Sequence, residues 1–276
     1  MTPQEARARA DAVMELHEGG ASDEAFAEVE RLLAELATGH DLSDLVLRES
    51  LFTARFERAV LLTEREDLDA AADAYALAAQ TPVDLEDPDQ RHEIALAALN
   101  HGICLDALGD HAGAAEVYAA IVARLGDADD PVTADQVARA RVNHAAALLA
   151  LDRLEEAASV AGEVIEALDP SDVLDAEQHA MALRVRAEAL AASGHREEAI
   201  ATLSRAVRVT REDPGARVQR AAAAREQGLA LAELGRSVEA VEVLDAALAD
   251  AETEQDPEVH DILEEIRAER ERLAGR

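Results

Sequence analysis

The sequence has 276 residues with 59 acidic and 26 basic side chains, all of the basic ones Arg, and a formal net charge of −33. This charge disfavours a nucleic-acid partner, because the phosphate backbone would be repelled over most of the protein surface. The single Cys104 excludes an intramolecular disulfide, and no run approaches the roughly 18 apolar residues that a membrane span needs. We therefore expect a soluble, cytoplasmic protein that does not enter a membrane.

Pairs of predicted helices, each pair bent at a short break, fill nearly the whole chain. In the stretch from Asn100 to Val122, apolar or small residues recur at helical spacing on both sides of Gly109-Asp110. The predicted hairpins occupy residues 4–36, 46–80, 90–125, 134–168, 174–211 and 215–250. The last helix, 257–276, is expected to cap the array 1–256 with an apolar stripe of Val259, Ile262, Ile266 and Leu273.

One small residue after each bend aligns the six hairpins. Successive gaps between these residues are 46, 43, 43, 42 and 41 residues, and six of the seven prolines fall between hairpins. A nearly fixed period of this length indicates a solenoid of stacked helical hairpins. The aligned residues are Ala25, Ala71, Ala114, Ala157, Ala199 and Ala240.

These positions resemble the tetratricopeptide repeat family, in which a small residue and a large apolar one in the first helix precede Ala and Phe or Tyr in the second. The period exceeds the usual length of about 34 residues and is similar to the extended repeats of kinesin light chains. Trp is missing, and His101 and His144 stand where the family has Leu. The resemblance implies an all-α, right-handed superhelical solenoid of about six hairpins with a C-terminal capping helix. The residues that carry it are Gly102, Leu105, Ala114 and Tyr118 in the third hairpin and Gly228, Leu231, Ala240 and Leu244 in the sixth.

One stripe on each first helix is predicted to line the inner groove of such a solenoid. In the third hairpin it carries Leu96, Asn100 and Ile103, and Asn143 is the equivalent of Asn100 in the fourth. An Asn amide can hydrogen-bond the backbone of an extended peptide whatever its side chains. Peptide-binding tetratricopeptide proteins use Asn at this place, so the resemblance implies the same role. The alternative is that both are ordinary helix-surface residues.

Arginine is concentrated in the second half of this acidic chain, with 13 of the 26 between Arg139 and Arg236. On the predicted inner face Arg139, Arg184 and Arg225 are candidates for binding an acidic segment or a C-terminal carboxylate, since a guanidinium can hold a carboxylate through two hydrogen bonds. The competing interpretation is that they pair with Glu on adjacent helices and relieve self-repulsion. For His101 and His144, a place between packed helices is favoured over metal ligation.

The sequence contains no phosphate-binding loop, no nucleophile elbow, no zinc-protease motif and no paired Cys motif. We therefore expect no catalytic residue, no metal and no cofactor. The leading hypothesis is a non-enzymatic scaffold whose groove binds another protein or a peptide. A peptide-sensing regulator that changes shape on binding, and a subunit of an enzyme system whose chemistry lies in another chain, are the alternatives. The oligomeric state is left open.

Overall fold

A computed structural model describes residues 1–37, 43–82, 84–128, 130–169, 173–211, 213, 216–250 and 257–275. Within these ranges every regular element is a helix, so the predicted all-α fold is confirmed, whereas the right-handed superhelix remains a prediction. The helices are α1 (Pro3–Glu18), α2 (Ser22–Leu36), α3 (Leu45–Glu64), α4 (Leu68–Ala79), α5 (Pro88–Ala107), α6 (His111–Leu125), α7 (Pro131–Ala150), α8 (Leu154–Ala167), α9 (Val173–Ala192), α10 (Arg196–Val209), α11 (Arg217–Glu233), α12 (Ser237–Asp250) and α13 (Pro257–Ala274).

The chain forms two compact units, Met1–Ala140 and Arg141–Arg276, with the division inside α7. In the first unit α1 packs on α2 and α3, α3 on α4, α4 on α5 and α5 on α6. In the second, α8 packs on α9, α9 on α10, α10 on α11, and α13 lies against both α11 and α12. Within each unit, helices that are consecutive in the sequence therefore pack on one another, as stacked hairpins require.

Proline and aspartate mark where the helices begin. Four helices begin with proline, at a position where the missing N–H would make no intrahelical hydrogen bond. These residues are Pro3, Pro88, Pro131 and Pro257. At α1 the Thr2 side chain accepts from the backbone of the third helical residue, whose own side chain accepts from the Thr2 backbone, which is a capping box. Aspartates cap five further starts through side-chain oxygens, at Asp44, Asp67, Asp87, Asp110 and Asp130.

Every hairpin turns at the same offset, five residues before its aligned alanine. The residue there has a positive φ, between 59° and 87°. The two backbone N–H groups that follow the helix donate back to carbonyls in its last turn, as at Gly109 to Asp106 (2.9 Å) and Asp110 to Leu105 (2.9 Å). This is the Schellman motif that glycine favours at a helix end. The six residues with positive φ are Gly20, Glu66, Gly109, Asp152, Gly194 and Gly235.

The aligned alanines are all buried, with at most 1% of their surface exposed, and they mark the closest contacts within the hairpins. A Cβ on Gly102 would lie 2.4 Å from the Tyr118 ring, and one on Gly228 would lie 2.7 Å from Leu244. The first unit adds a small aromatic cluster of Phe52, Phe56 and Tyr75. In the capping helix the buried residues are Val259, Leu263, Ile266 and Leu273, so Leu263 takes the place predicted for Ile262.

Ion pairs join each hairpin to a neighbour at about one repeat of separation. Arg65 donates to Asp23 at 2.6 Å across 42 residues, and Arg91 donates to Asp130 at 2.9 Å across 39 residues. In the second unit Arg236 reaches Glu197 at 2.9 Å, again across 39 residues. The pairs at Arg65 and Arg236 have exposed acidic partners and contribute little stability each, whereas both side chains of the Arg91–Asp130 pair are less exposed.

Candidate binding faces of the two units

The predicted stripe on α5 forms one face of the first unit. Leu96 and Asn100 are half-buried, and Ile103 is 39% exposed. Glu93, three residues before Leu96, extends the same stripe by helical spacing and is also half-buried. The face therefore combines two aliphatic side chains, one amide and one carboxyl group within three turns of a single helix.

Asn100 is oriented by a polar contact with the neighbouring hairpin. Burial raises the pKa of the Tyr75 hydroxyl, and hydrogen bonds from Thr63 and Asn100 oppose that rise. An Asn amide has two N–H donors and an acceptor oxygen with two lone pairs. An amide with this capacity can make further hydrogen bonds beside its contact with Tyr75.

Glu93 was not a candidate from the sequence, where it is one of 59 acidic residues. Burial raises its pKa to about 7, and the nearby carboxylates of Glu49, Asp89 and Asp87 contribute in the same direction. Near neutral pH this carboxyl group is therefore partly protonated, and it can donate as well as accept a hydrogen bond. Asp89 precedes Glu93 by one helical turn on α5, whereas Glu49 lies on α3 and comes near Glu93 only in the folded unit, which sequence spacing does not reveal.

A second polar group on the first unit joins α1 to α3. The His17 Nδ1 lies 2.9 Å from a Glu57 oxygen, and its Nε2 lies 2.8 Å from a Glu64 oxygen. These hydrogen bonds, first that with Glu64 and then that with Glu57, raise the pKa of His17. The protonated ring can donate from both nitrogens, so it bridges two carboxylates that would otherwise repel each other.

The three candidate arginines differ in how fully they are paired. Arg184 donates through Nε to Glu226 at 3.0 Å and through Nη1 to Gln219 at 2.7 Å, and Arg225 lies 2.8 Å from Glu265. These two have the pairing with adjacent helices that the competing interpretation describes.

Arg139 and Asn143 complete the predicted set on α7, Arg139 in the first unit and Asn143 in the second. Arg139 is half-buried, and among the described residues its recorded contact is with the amide oxygen of Gln136, at 3.4 Å. It is thus the candidate arginine with no described carboxylate beside it. Asn143 is half-buried as well. The binding roles of all seven residues stay predictions.

His101 and His144 are half-buried, and burial lowers the pKa of each. His101 lies among apolar residues of α4, α5 and α6 that include Ile94 and Val117. Within the described parts of the chain, no three His, Cys, Asp or Glu side chains gather as a metal site would require. None of the described helices combines the length and the apolar character needed to cross a lipid bilayer.

Comparison with known proteins shows which class of fold this chain has. No protein-family model and no curated protein matches the sequence. Three solved structures are similar to it. BtubC (BKLC) of P. vanneervenii has a TM-score of 0.62 and 19% identity over 86% of this chain and 92% of its own. The TPR-like repeats of a Podosopora anserina putative kinesin light chain score 0.56 with 16% identity over 76% and 97%. A Rap protein complexed with competence and sporulation factor scores 0.57 with 14% identity over 96% and 80%.

The chain therefore has the fold of the tetratricopeptide-type repeat proteins, and the predicted resemblance is confirmed. At these identities the likeness concerns the fold, and the function has to be argued from the residues on its faces.

Proposed function

We propose that the protein is a non-enzymatic scaffold that binds an extended peptide or a segment of a partner protein along the first helices of its hairpins. The observation that carries the proposal is the α5 stripe, in which Asn100 stands between Leu96 and Ile103 with hydrogen-bonding capacity left over. An amide flanked by aliphatic side chains suits a peptide, because the amide binds the backbone and the aliphatic groups contact alternate side chains. The similar Rap protein was solved in complex with a factor, which supports a ligand-binding role for the fold.

The second part of the proposal concerns the chemistry of the partner. Arg139 is the candidate arginine without a described carboxylate beside it, so it is the first place at which an acidic side chain or a C-terminal carboxylate would bind. At Arg184 and Arg225 an incoming carboxylate would have to displace Glu226 or Glu265. We propose that those two arginines and Asn143 belong to a separate, secondary recognition face of the second unit.

The test begins with selection of peptides from a displayed random library on the immobilised full chain. Affinities of the selected peptides are then measured for the wild type, Asn100→Ala, Asn143→Ala and His101→Ala. Loss of two backbone hydrogen bonds, at about 1 kcal/mol each, predicts at least tenfold weaker binding to Asn100→Ala. His101→Ala is the matched control, because its side chain lies one residue further along α5 and among different neighbours.

Two results would contradict the proposal. One is unchanged affinity of Asn100→Ala for every selected peptide, and the other is an equal loss in His101→Ala. The carboxylate part is tested separately with each peptide as a free acid and as an amide. The free acid should bind more tightly to the wild type, and Arg139→Gln should remove that preference.

The alternative function is that of a peptide-sensing regulator. The fold shared with a Rap protein that was solved in complex with competence and sporulation factor supports it, because a ligand that binds one conformation better shifts the chain toward that conformation. Small-angle scattering with and without a selected peptide distinguishes the two functions. A scaffold gives superimposable profiles, whereas a regulator gives a changed radius of gyration.

A further inference from the structure

The first unit contains a cavity of about 470 Å³ between α2, α3 and α4. Its apolar wall includes Leu33, Leu51, Ala74 and Leu77, and Leu77 is 46% exposed. The volume lies in the range of small-ligand pockets, roughly 300–1,000 Å³. The cavity is separate from the α5 stripe, since no residue of α5 lines it.

Arg55 is the charged residue of this cavity that has no described carboxylate beside it. It is half-buried on α3, and its Nη1 donates to the Leu77 carbonyl oxygen at 2.9 Å and to the Thr81 hydroxyl at 3.0 Å. No carboxylate among the described residues pairs with it, although the chain has 59 acidic side chains. Burial lowers the pKa of the guanidinium without any opposing contribution from a neighbouring charge. A cation held in an apolar wall without a counter-charge is costly unless something compensates it.

The other charged groups do not compensate Arg55. Arg58 also lines the cavity, and its guanidinium pairs with Glu30. Among the described residues, the wall therefore has two positive groups and one negative group, an excess of one positive charge in a chain of net charge −33. Two contacts of Nη1 leave the N–H groups at Nε and Nη2, which lie on one edge of the guanidinium and can hold a carboxylate by two hydrogen bonds.

We propose that this cavity binds a free medium-chain aliphatic carboxylate, with the carboxylate on Arg55 and the hydrocarbon chain against Leu33, Leu51 and Leu77. The charge excess selects an anion, and the apolar wall selects a hydrocarbon body. The C-terminal residue of a peptide shares this chemistry, so a peptide is the competing source and becomes an arm of the test. This site is independent of the function proposed for the α5 stripe.

The next hairpin provides an internal comparison. Arg55 lies sixteen residues before the aligned Ala71, and the residue sixteen before Ala114 is Ala98. The cavity at that equivalent place, between α4, α5 and α6, is about 180 Å³ and has Ala98 in its wall. The fold thus accepts alanine at this position, and Arg55→Ala is expected to fold as the wild type does. The larger cavity with an arginine at this position is a property of the second hairpin, whereas the cavity beside Ala98 has its arginine, Arg124, on α6.

The experiment is calorimetric titration of octanoate into the full chain at pH 7.5, with 1-octanol and a short peptide ending in a free Leu carboxylate as the other ligands. We expect saturable binding of one octanoate, at least tenfold weaker binding of 1-octanol, and at least tenfold weaker binding of octanoate to Arg55→Ala. Leu77→Asp, at an exposed position, should weaken octanoate in the same way because it places a negative charge at the cavity. Asn100→Ala is the control and should bind octanoate as the wild type does.

Three outcomes would overturn the proposal. They are no octanoate binding at millimolar concentration, equal binding of octanoate by wild type and Arg55→Ala with a matching melting profile, and tighter binding of the peptide than of octanoate. Failure of Asn100→Ala to bind selected peptides leaves this result untouched, so the two proposals stand or fall separately.

Discussion

Replacing Glu66 with glycine should stabilise the protein, although it removes a side chain. Glu66 has a φ of 61° at the bend between α3 and α4, where four of the six hairpins have glycine. Its side chain is exposed, and no ion pair or side-chain hydrogen bond of the described residues involves it. The substitution therefore changes the backbone preference and almost nothing else.

The expected size of the effect follows from two opposing contributions. A left-handed conformation costs an ordinary residue about 1–2 kcal/mol, and glycine avoids this cost. Glycine also raises the conformational entropy of the unfolded chain, which costs about 0.4–1 kcal/mol. The net gain in the free energy of unfolding for Glu66→Gly is about 0.5–1 kcal/mol, or about 1–3 °C in Tm. Asp152→Gly should gain less, because Asp tolerates this conformation better than Glu.

The assay is urea denaturation followed by circular dichroism, with the reverse substitution Gly109→Glu as the matched control. No atom lies within 4 Å of a Cβ built on Gly109, so its loss of about 0.5–1 kcal/mol would come from conformation rather than collision. A denaturation midpoint of Glu66→Gly at or below that of the wild type, together with a neutral Gly109→Glu, would refute this account of the bends.

Three further substitutions test the packing and the titrating groups. Gly102→Ala should destabilise by about 1–3 kcal/mol in urea denaturation, since its Cβ would strike the Tyr118 ring, and an unchanged midpoint would argue against that contact. Glu93→Gln should raise Tm at pH 7.5 but not at pH 4. The raised pKa of Glu93 makes the wild type lose stability as the pH rises from about 4.5 to about 7, and Gln does not titrate. An equal gain in Tm at both pH values would contradict the raised pKa. His17→Gln should lower Tm at pH 6 more than at pH 9. The raised pKa of His17 stabilises the folded protein below the ordinary His value of 6.5, and this contribution is lost as the pH rises through the pKa of His17 in the folded protein. Equal losses in Tm at both pH values would contradict a charged bridge from His17 to Glu64.

The hairpins were predictable because their signals are local in the sequence. Each aligned alanine is buried where helices pack closely, so a larger residue is excluded there. Because these positions recur at a nearly constant period, the small residues can be recognised in the sequence. The bends at Glu66 and Asp152 were harder to predict, because Glu rarely adopts a positive φ and Asp adopts it less readily than glycine. There the repeat imposes the conformation against the preference of the residue.

The site was less predictable because it depends on pairs distant in the sequence. The Arg184 partner Glu226 lies 42 residues away, and both residues look equally available in the sequence. The cavity at Arg55 has the same origin, since the lack of a described carboxylate beside it becomes visible only when α2, α3 and α4 are packed together. Periodicity identifies which face of a helix is presented, but the neighbouring helix decides whether a charge on that face is already neutralised.

The ion pairs between hairpins bear on how such a chain could lengthen during evolution. Arg65 with Asp23 and Arg236 with Glu197 join residues 42 and 39 positions apart, close to one period in each case. A duplicated second hairpin would place a copy of Arg65 opposite Asp69, the equivalent of Asp23, and so keep one such pair at the new boundary. The third hairpin has Leu108 and Ala112 at these two positions, so its duplication would bring no such pair. Charge between neighbouring hairpins therefore favours the duplication of some hairpins over others.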